Sequence, residues 1–224
     1  DTHPKTAALE IELGGKKVRF GVIAKGSGMI QPNMATMLCF ITTDAAIDSK
    51  LLQKALSKVV ATSFNMISID GDMSTNDMVV VMANGAAGNA PIVEGSEDYA
   101  KFLEALDKLC KELAQEIADD GEGATKFLTV HVTGTKTFAA ANPNWGRVIC
   151  AVGYAGVPMN HKDVVVKFGD IPVYAHGVGA EYDAEALAKV MEQHDITISI
   201  DMGQGEEEAT VWTCDFSYEY VKIN

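Results

Sequence analysis

Between residues 98 and 118, Phe102, Leu106, Leu109, Leu113 and Ile117 recur at helical spacing, with charged side chains opposite. This is the clearest helix in the chain, and its stripe is core rather than a cofactor-binding face. The segments around it have a different period. Leu9, Ile11 and Leu13 alternate ahead of Gly14-Gly15, and Lys17-Val-Arg-Phe-Gly-Val-Ile23 follows, which predicts a β-hairpin on a primed turn. Residues 37–42 and 78–82 are short continuous apolar runs, predicted as buried strands, and 127–132 is another strand. Asp48 is placed to cap a helix whose apolar positions run from Leu51 to Val60. Residues 145–154 predict a helix, and 164–168 with 171–174 a hairpin across Gly169-Asp170. Asp183 caps a helix over 184–193, and strands at 196–201 and 209–222 follow, joined by an acidic turn. Strands and helices mix without strict alternation, so the fold class is α+β, layered rather than doubly wound.

Charge narrows the function. With 31 acidic against 18 basic side chains the net charge is −13, which argues against a nucleic-acid partner and against docking on an anionic membrane. No apolar run approaches the span of a bilayer. Cys39, Cys110, Cys150 and Cys214 lie far apart in apolar contexts, which predicts four reduced, buried thiols rather than disulfides or zinc ligands. The five histidines are scattered without ligand spacing, so no metal site is expected.

The stretch Lys25-Gly-Ser-Gly-Met-Ile-Gln-Pro-Asn-Met-Ala-Thr-Met-Leu38 carries the chemistry. A loop with two glycines and a proline presents Thr36 at the head of an apolar strand. A threonine hydroxyl needs a base to take its proton. Cutting the Ala35–Thr36 bond would create an α-amine with a reference pKa of about 8, able to act as that base within the same residue. No protease is needed if the Thr36 hydroxyl attacks the Ala35 carbonyl in a strained turn and water opens the resulting ester.

Lys25 to Leu38 resembles the segment around the self-cleavage site of the ornithine acetyltransferase family, the bifunctional glutamate N-acetyltransferases. The resemblance continues through Ser68-Ile-Asp-Gly-Asp-Met-Ser-Thr-Asn-Asp77, Ala83-Asn-Gly-Ala-Ala-Gly-Asn89, Asp120-Gly-Glu-Gly-Ala-Thr-Lys126, Pro143-Asn-Trp-Gly-Arg147 and Tyr220-Val-Lys-Ile-Asn224, in the family's order and over almost the whole chain. It implies an α/β sandwich reminiscent of N-terminal-nucleophile hydrolases over 1–121 and a smaller α/β domain over 122–224. It also implies autocleavage between Ala35 and Thr36, and a catalytic Thr36 that takes acetyl from N-acetylornithine and passes it to glutamate. Thr2, Lys25, Thr36, Glu122 and Asn224 are the substrate-binding residues so implied, with Lys25 on a substrate carboxylate and Glu122 against the ornithine side-chain amine. No metal or organic cofactor is expected, with acetyl-coenzyme A as an alternative acetyl donor. The expected partners are the α and β halves of one precursor, assembled as a heterotetramer. The compartment is the cytoplasm, or an organelle in a fungal or plant source.

Two departures from the family pattern stand out. The upstream Thr-Gly turn expected to supply the oxyanion hole would lie before Asp1, and the passage from Thr137 to Pro143 is shorter than in family members, as if residues were closed up near 134–142. The tail at Asn224 also looks clipped. Rival readings are an amidase or aminopeptidase of the same fold, in which water replaces glutamate, and a non-catalytic subunit.

Other features read as structure. Read without the resemblance, Lys25 is a solvated strand-end lysine and Glu122 follows a helix end with Gly121 as the C′ residue. Asp70-Gly-Asp72 with Asn76 and Asp77 lacks the spacing of a calcium loop and reads as a turn whose carboxylates cap neighbouring backbone. Gly177-Val-Gly179 lacks the third glycine of a dinucleotide fingerprint.

Overall fold

The computed structural model describes residues 1–28, 30–31, 34–35, 37–71, 77–121, 123–133, 145–215, 218 and 222. The chain divides into two compact units, Asp1–Glu122 and Gly123–Asn224.

In the first unit, β1 (Lys5–Leu13) and β2 (Lys16–Lys25) pair antiparallel along their whole length, from Lys5↔Ala24 to Leu13↔Lys16. Gly14 and Gly15, at φ 54° and 74°, make the turn, a conformation side chains with a Cβ resist. Two short strands follow, β3 (Ile30–Gln31) and β4 (Met34–Ala35), paired with Ile30 opposite Ala35. β5 (Leu38–Thr43) returns along β2, and α1 (Ser49–Val60) starts at Asp48, whose carboxylate accepts from the Lys50 amide at 2.9 Å. After a 3-10 turn at Phe64–Met66 and β6 (Ile67–Ser68), β7 (Met78–Ala83) lies parallel to β5. The sheet order is β1-β2-β5-β7.

Across this sheet lies α2 (Glu97–Asp119), capped by Ser96. Phe102, Leu106, Leu109, Leu113 and Ile117 are all buried, at roughly 1.5–3 kcal/mol of apolar transfer each. They meet the inward residues of β1 and β2, and Phe102 stacks tilted on Phe20 with ring centroids 5.2 Å apart. The helix packs on one face of the sheet only. The expectation of buried strands is therefore corrected: β5 alternates, with Phe40 at 39% exposure, and on β7 Met78 and Met82 are exposed. The apolar run in β7 belongs to a strand at the end of the sheet order, and a run of that composition does not by itself report which faces are covered.

In the second unit, β8 (Phe127–Thr133), α3 (Trp145–Tyr154), the hairpin β9 (Val165–Phe168) and β10 (Ile171–Ala175), β11 (Val178–Gly179), α4 (Ala184–Met191), β12 (Asp195–Asp201) and β13 (Glu208–Cys214) follow in turn. The strands lie in the order β11-β10-β9-β12-β8-β13. The strands joined by the acidic turn are thus not neighbours. β8 lies between them, parallel to β12 and antiparallel to β13, because its inward Leu128, Val130 and Val132 take the centre of the core. The second of these strands is also shorter than the sequence suggests: β13 stops at Cys214, where Asp215 turns to accept from the Thr125 and Lys126 amides at 2.7 and 2.8 Å.

The cysteine expectation is corrected at one position. Cys39, Cys110 and Cys214 are buried, and burial pushes the Cys39 thiol up to about 12, but Cys150 on α3 is exposed.

Candidate functional site

Register brings the candidate residues together. Lys25 closes β2, and its partner across the sheet is Leu38, two residues beyond Thr36. The Lys25 side chain is exposed, on the open face with Ile23, Leu38 and Phe40. These side chains, with Ala24 and Asp1 to Pro4, line a cavity of about 520 Å³. Its walls are mostly apolar, and Lys25, His3 and Asp1 are the titratable side chains among its lining residues. Ala35 ends β4, held opposite Ile30. Thr36, Glu122 and Asn224 lie outside the described residues, and so do Asp72 and Asn76.

Thr2 also lines the cavity, but its hydroxyl donates to Asp120 and its amide to the same carboxylate at 2.9 Å. Asp120 caps α2 and is the centre of a buried cluster that sequence reasoning missed. The Lys5 ammonium, with no exposed surface, donates to Asp120 and, at 2.6 Å, to Asp1. Asp1 accepts in turn from the Gly26 amide at 2.9 Å, and the Ser27 hydroxyl donates to the Asp120 carbonyl at 2.6 Å. Burial pushes the Asp120 carboxyl up, but the hydrogen bonds from Lys5 and Thr2 outweigh it and hold the group below its ordinary value. The cluster fixes the first residues of the chain, the Gly26-Ser27 bend and the end of α2 to one another. A signal for it existed. Lys5 is in phase with Leu9 and Leu13 on β1, so the strand period points a lysine inward, where it needs carboxylate partners.

Glu116, one turn earlier on α2, has Oε2 buried with no hydrogen-bond partner among the described residues. Burial, with Glu112 nearby, raises its carboxyl against the opposing pull of His3 and Lys5. The helix end differs from the sequence reading: Asp120 is the cap residue, and it is Gly123 (φ 75°), not Gly121, that takes the left-handed conformation.

A second pair of carboxylates brackets the threonine loop. Asp70 Oδ1 accepts from the Ile30 amide at 3.0 Å, and Asp77 Oδ1 from the Met37 amide at 2.8 Å. Both are the backbone-capping turn carboxylates that the sequence suggests. Asp77 Oδ2 is buried, with no hydrogen-bond partner among the described residues. Burial raises the Asp77 carboxyl, opposed by the Met37 amide and by the Lys25 charge.

Among the described residues, no three of His, Cys, Asp and Glu converge in a way that could hold a metal ion. Nor is any described helix long and apolar enough to cross a membrane. His131 is exposed on β8, its ring Nδ1 within 2.7 Å of the Thr210 hydroxyl.

A helix-backed four-stranded sheet, followed by a smaller α/β unit, is an α+β fold resembling the N-terminal-nucleophile hydrolases. A family model described as the ArgJ family matches residues 1–142 and 136–224, and the chain belongs to that family. Among curated relatives, the arginine biosynthesis bifunctional protein ArgJ of Listeria monocytogenes is 47% identical over 244 aligned positions, and that of Symbiobacterium thermophilum 46%. Each alignment takes in all of this chain and 61% of the relative, so the chain spans about 61% of the length of the curated relatives it matches. The crystal structure of the arginine biosynthesis bifunctional protein argJ from Bacillus halodurans is 38% identical, with a TM-score of 0.73 covering 82% of this chain and 95% of that one.

Proposed function

We propose that this chain forms the catalytic body of an acyltransferase that moves an acetyl group from N-acetylornithine to glutamate, in arginine biosynthesis, after cutting its own Ala35–Thr36 bond. In the cut, the Thr36 hydroxyl oxygen adds to the Ala35 carbonyl and the Thr36 nitrogen leaves as an amine. Water then opens the ester, freeing the Ala35 carboxylate. In transfer, the same oxygen takes acetyl from N-acetylornithine and releases ornithine, whose amine leaves with a proton. The glutamate α-amine then attacks the acetyl ester, and the threonine hydroxyl is restored. Lys25 holds the α-carboxylate common to donor and acceptor. Thr2, Glu122 and Asn224 complete the substrate contacts, Glu122 on the ornithine side-chain amine. For Thr2 that role requires its hydroxyl to leave Asp120. No metal or organic cofactor is needed, and acetyl-coenzyme A is a second donor. The two processed halves stay together in a heterotetramer in the cytoplasm.

The observation that supports this reading most is the register Lys25↔Leu38, which puts the Lys25 ammonium opposite the strand that follows Thr36, among the residues lining a substrate-sized cavity. The relatives' names, arginine biosynthesis bifunctional proteins, agree with it. The test is intact-mass analysis of the whole protein before and after incubation with N-acetylornithine. The expected result is a fragment beginning at Thr36 that gains one acetyl group and loses it to glutamate. Thr36→Ala is expected to stay uncut and to lose transfer by at least about a thousandfold. Hydrolysis of N-acetylornithine with no transfer to glutamate would instead make the chain an amidase.

A further inference from the structure

The loop that carries Ala35 and Thr36 is fastened at both ends by one segment of the chain, forty residues further on. At the upstream end, Ile30 gives its amide to Asp70 at 3.0 Å and accepts from the Ile69 amide at 2.8 Å. At the downstream end, Met37 gives its amide to Asp77 at 2.8 Å and accepts from the Met78 amide at 3.0 Å. Ile30 is also the strand partner of Ala35. The residue on the acyl side of the bond to be cut is therefore paired to one anchored position, and the residue after Thr36 is the other. Only three covalent bonds separate the Met37 nitrogen from that of Thr36.

We propose that Asp70 and Asp77 form a two-point clamp that positions the Ala35–Thr36 bond for self-cleavage and keeps Thr36 aligned for acyl transfer afterwards. The inference rests on the reading of Thr36 as the nucleophile and goes beyond it by naming what holds the loop. A backbone attack by a neighbouring hydroxyl depends on the two reacting atoms being kept in line, and a loop free at either end would spread its conformations over many unreactive ones. A carboxylate is suited to the task, because charge-assisted hydrogen bonds to backbone amides are shorter and stronger than neutral ones. Asp77 has a second oxygen, buried and without a hydrogen-bond partner among the described residues, on the carboxylate that holds the amide of the residue after Thr36. Among the described residues the charge acting on it is that of Lys25, at the end of β2, and its hydrogen bond is from the Met37 amide, both opposing the effect of burial.

The experiment uses the full-length precursor, with the first-order rate of appearance of the fragment beginning at Thr36 followed by intact mass, and with kcat and KM for N-acetylornithine measured on whatever is processed. Asp77→Ala and Asp70→Ala are each expected to slow cleavage at least tenfold at a temperature well below their own Tm. Asp77→Ala is expected to lower kcat while KM stays within threefold. Asp77→Asn keeps an oxygen for the Met37 amide and is expected to cleave within threefold of the wild type. It should also shift the acid limb of the kcat/KM profile to lower pH, because a neighbouring carboxylate favours the protonated amine and its removal lowers the amine's pKa. If the alanine variants are insoluble, the asparagine variant and its pH profile carry the test. Alanine variants that cleave at the wild-type rate, or an asparagine variant that is as slow as alanine with no shift in the profile, overturn the clamp while leaving Thr36 in place. A wild-type precursor that never yields the Thr36 fragment overturns both readings.

Discussion

Replacing Lys5 by methionine would test the buried cluster at the end of α2. Lys5 has no exposed surface and joins Asp120, which is itself 5% exposed, to Asp1. Removing one member of a buried ion pair costs about 3–5 kcal/mol, because the other charge is left uncompensated. Asp120 would keep the amide and hydroxyl of Thr2, and Asp1 can turn to water, so the lower end applies, about 3 kcal/mol. For a unit the size of Asp1–Glu122 that is a fall in Tm of about 10 °C. The pH dependence is more telling than the size. In the wild type the Asp120 carboxyl sits below its ordinary value of 3.8, so its contribution is present above that value and is lost as pH falls through the lower folded one. In Lys5→Met the largest interaction opposing burial is gone and the carboxyl moves up, so that acid protonates it and removes the buried charge. Urea titrations of both proteins at about pH 7 and about pH 4.5 should show the gap narrowing in acid. A loss under about 1 kcal/mol, or a gap equally wide at both pH values, would refute the account of Lys5 as the counter-charge of Asp120.

Further outcomes are expected. Glu116→Gln should stabilise the protein by about 1 kcal/mol near neutral pH, by relieving a buried carboxylate oxygen without a described partner. Because the Glu116 carboxyl is raised, that advantage should vanish once the pH falls below its folded value, as thermal melts across pH will report. Gly203→Ala should cost at least about 2 kcal/mol in denaturant titration. Gly203 is at φ +64°, and a Cβ there meets the Asp163 side chain and carbonyl at 2.8 Å.

The local elements were legible because their signals are local. The hairpin at Gly14-Gly15, the caps Asp48 and Asp183, and the stripe from Phe102 to Ile117 each rest on spacing within one segment, and each is found. What sequence did not disclose depends on distant partners. Nothing near residues 37–42 or 78–82 says that α2 covers one side of the sheet and not the other. Nothing in the acidic turn says that β8, some seventy residues earlier, lies between the strands it joins. In the candidate site, Lys25 lines the cavity opposite Leu38, while Ala35 pairs with Ile30 in a separate short ladder. In the sequence Asp120 is one letter of a motif, and the inward-phased Lys5 that it pairs with lies 115 residues away. The turn composition marks Asp70 and Asp77 as backbone caps, but the amides they cap, those of Ile30 and Met37, lie forty residues away and are visible only in the fold.

The central place of β8 has a consequence for how the polypeptide acquires its shape. In the first unit the opening hairpin closes between adjacent residues, so structure can begin as soon as it leaves the ribosome. Both neighbours of β8 come from residues 195–214, so that strand has to wait with its edges unpaired for most of the second unit's synthesis. Sequence-distant pairings of this kind are slow to form. The second unit should therefore set the pace of maturation and be the half that most needs chaperone protection.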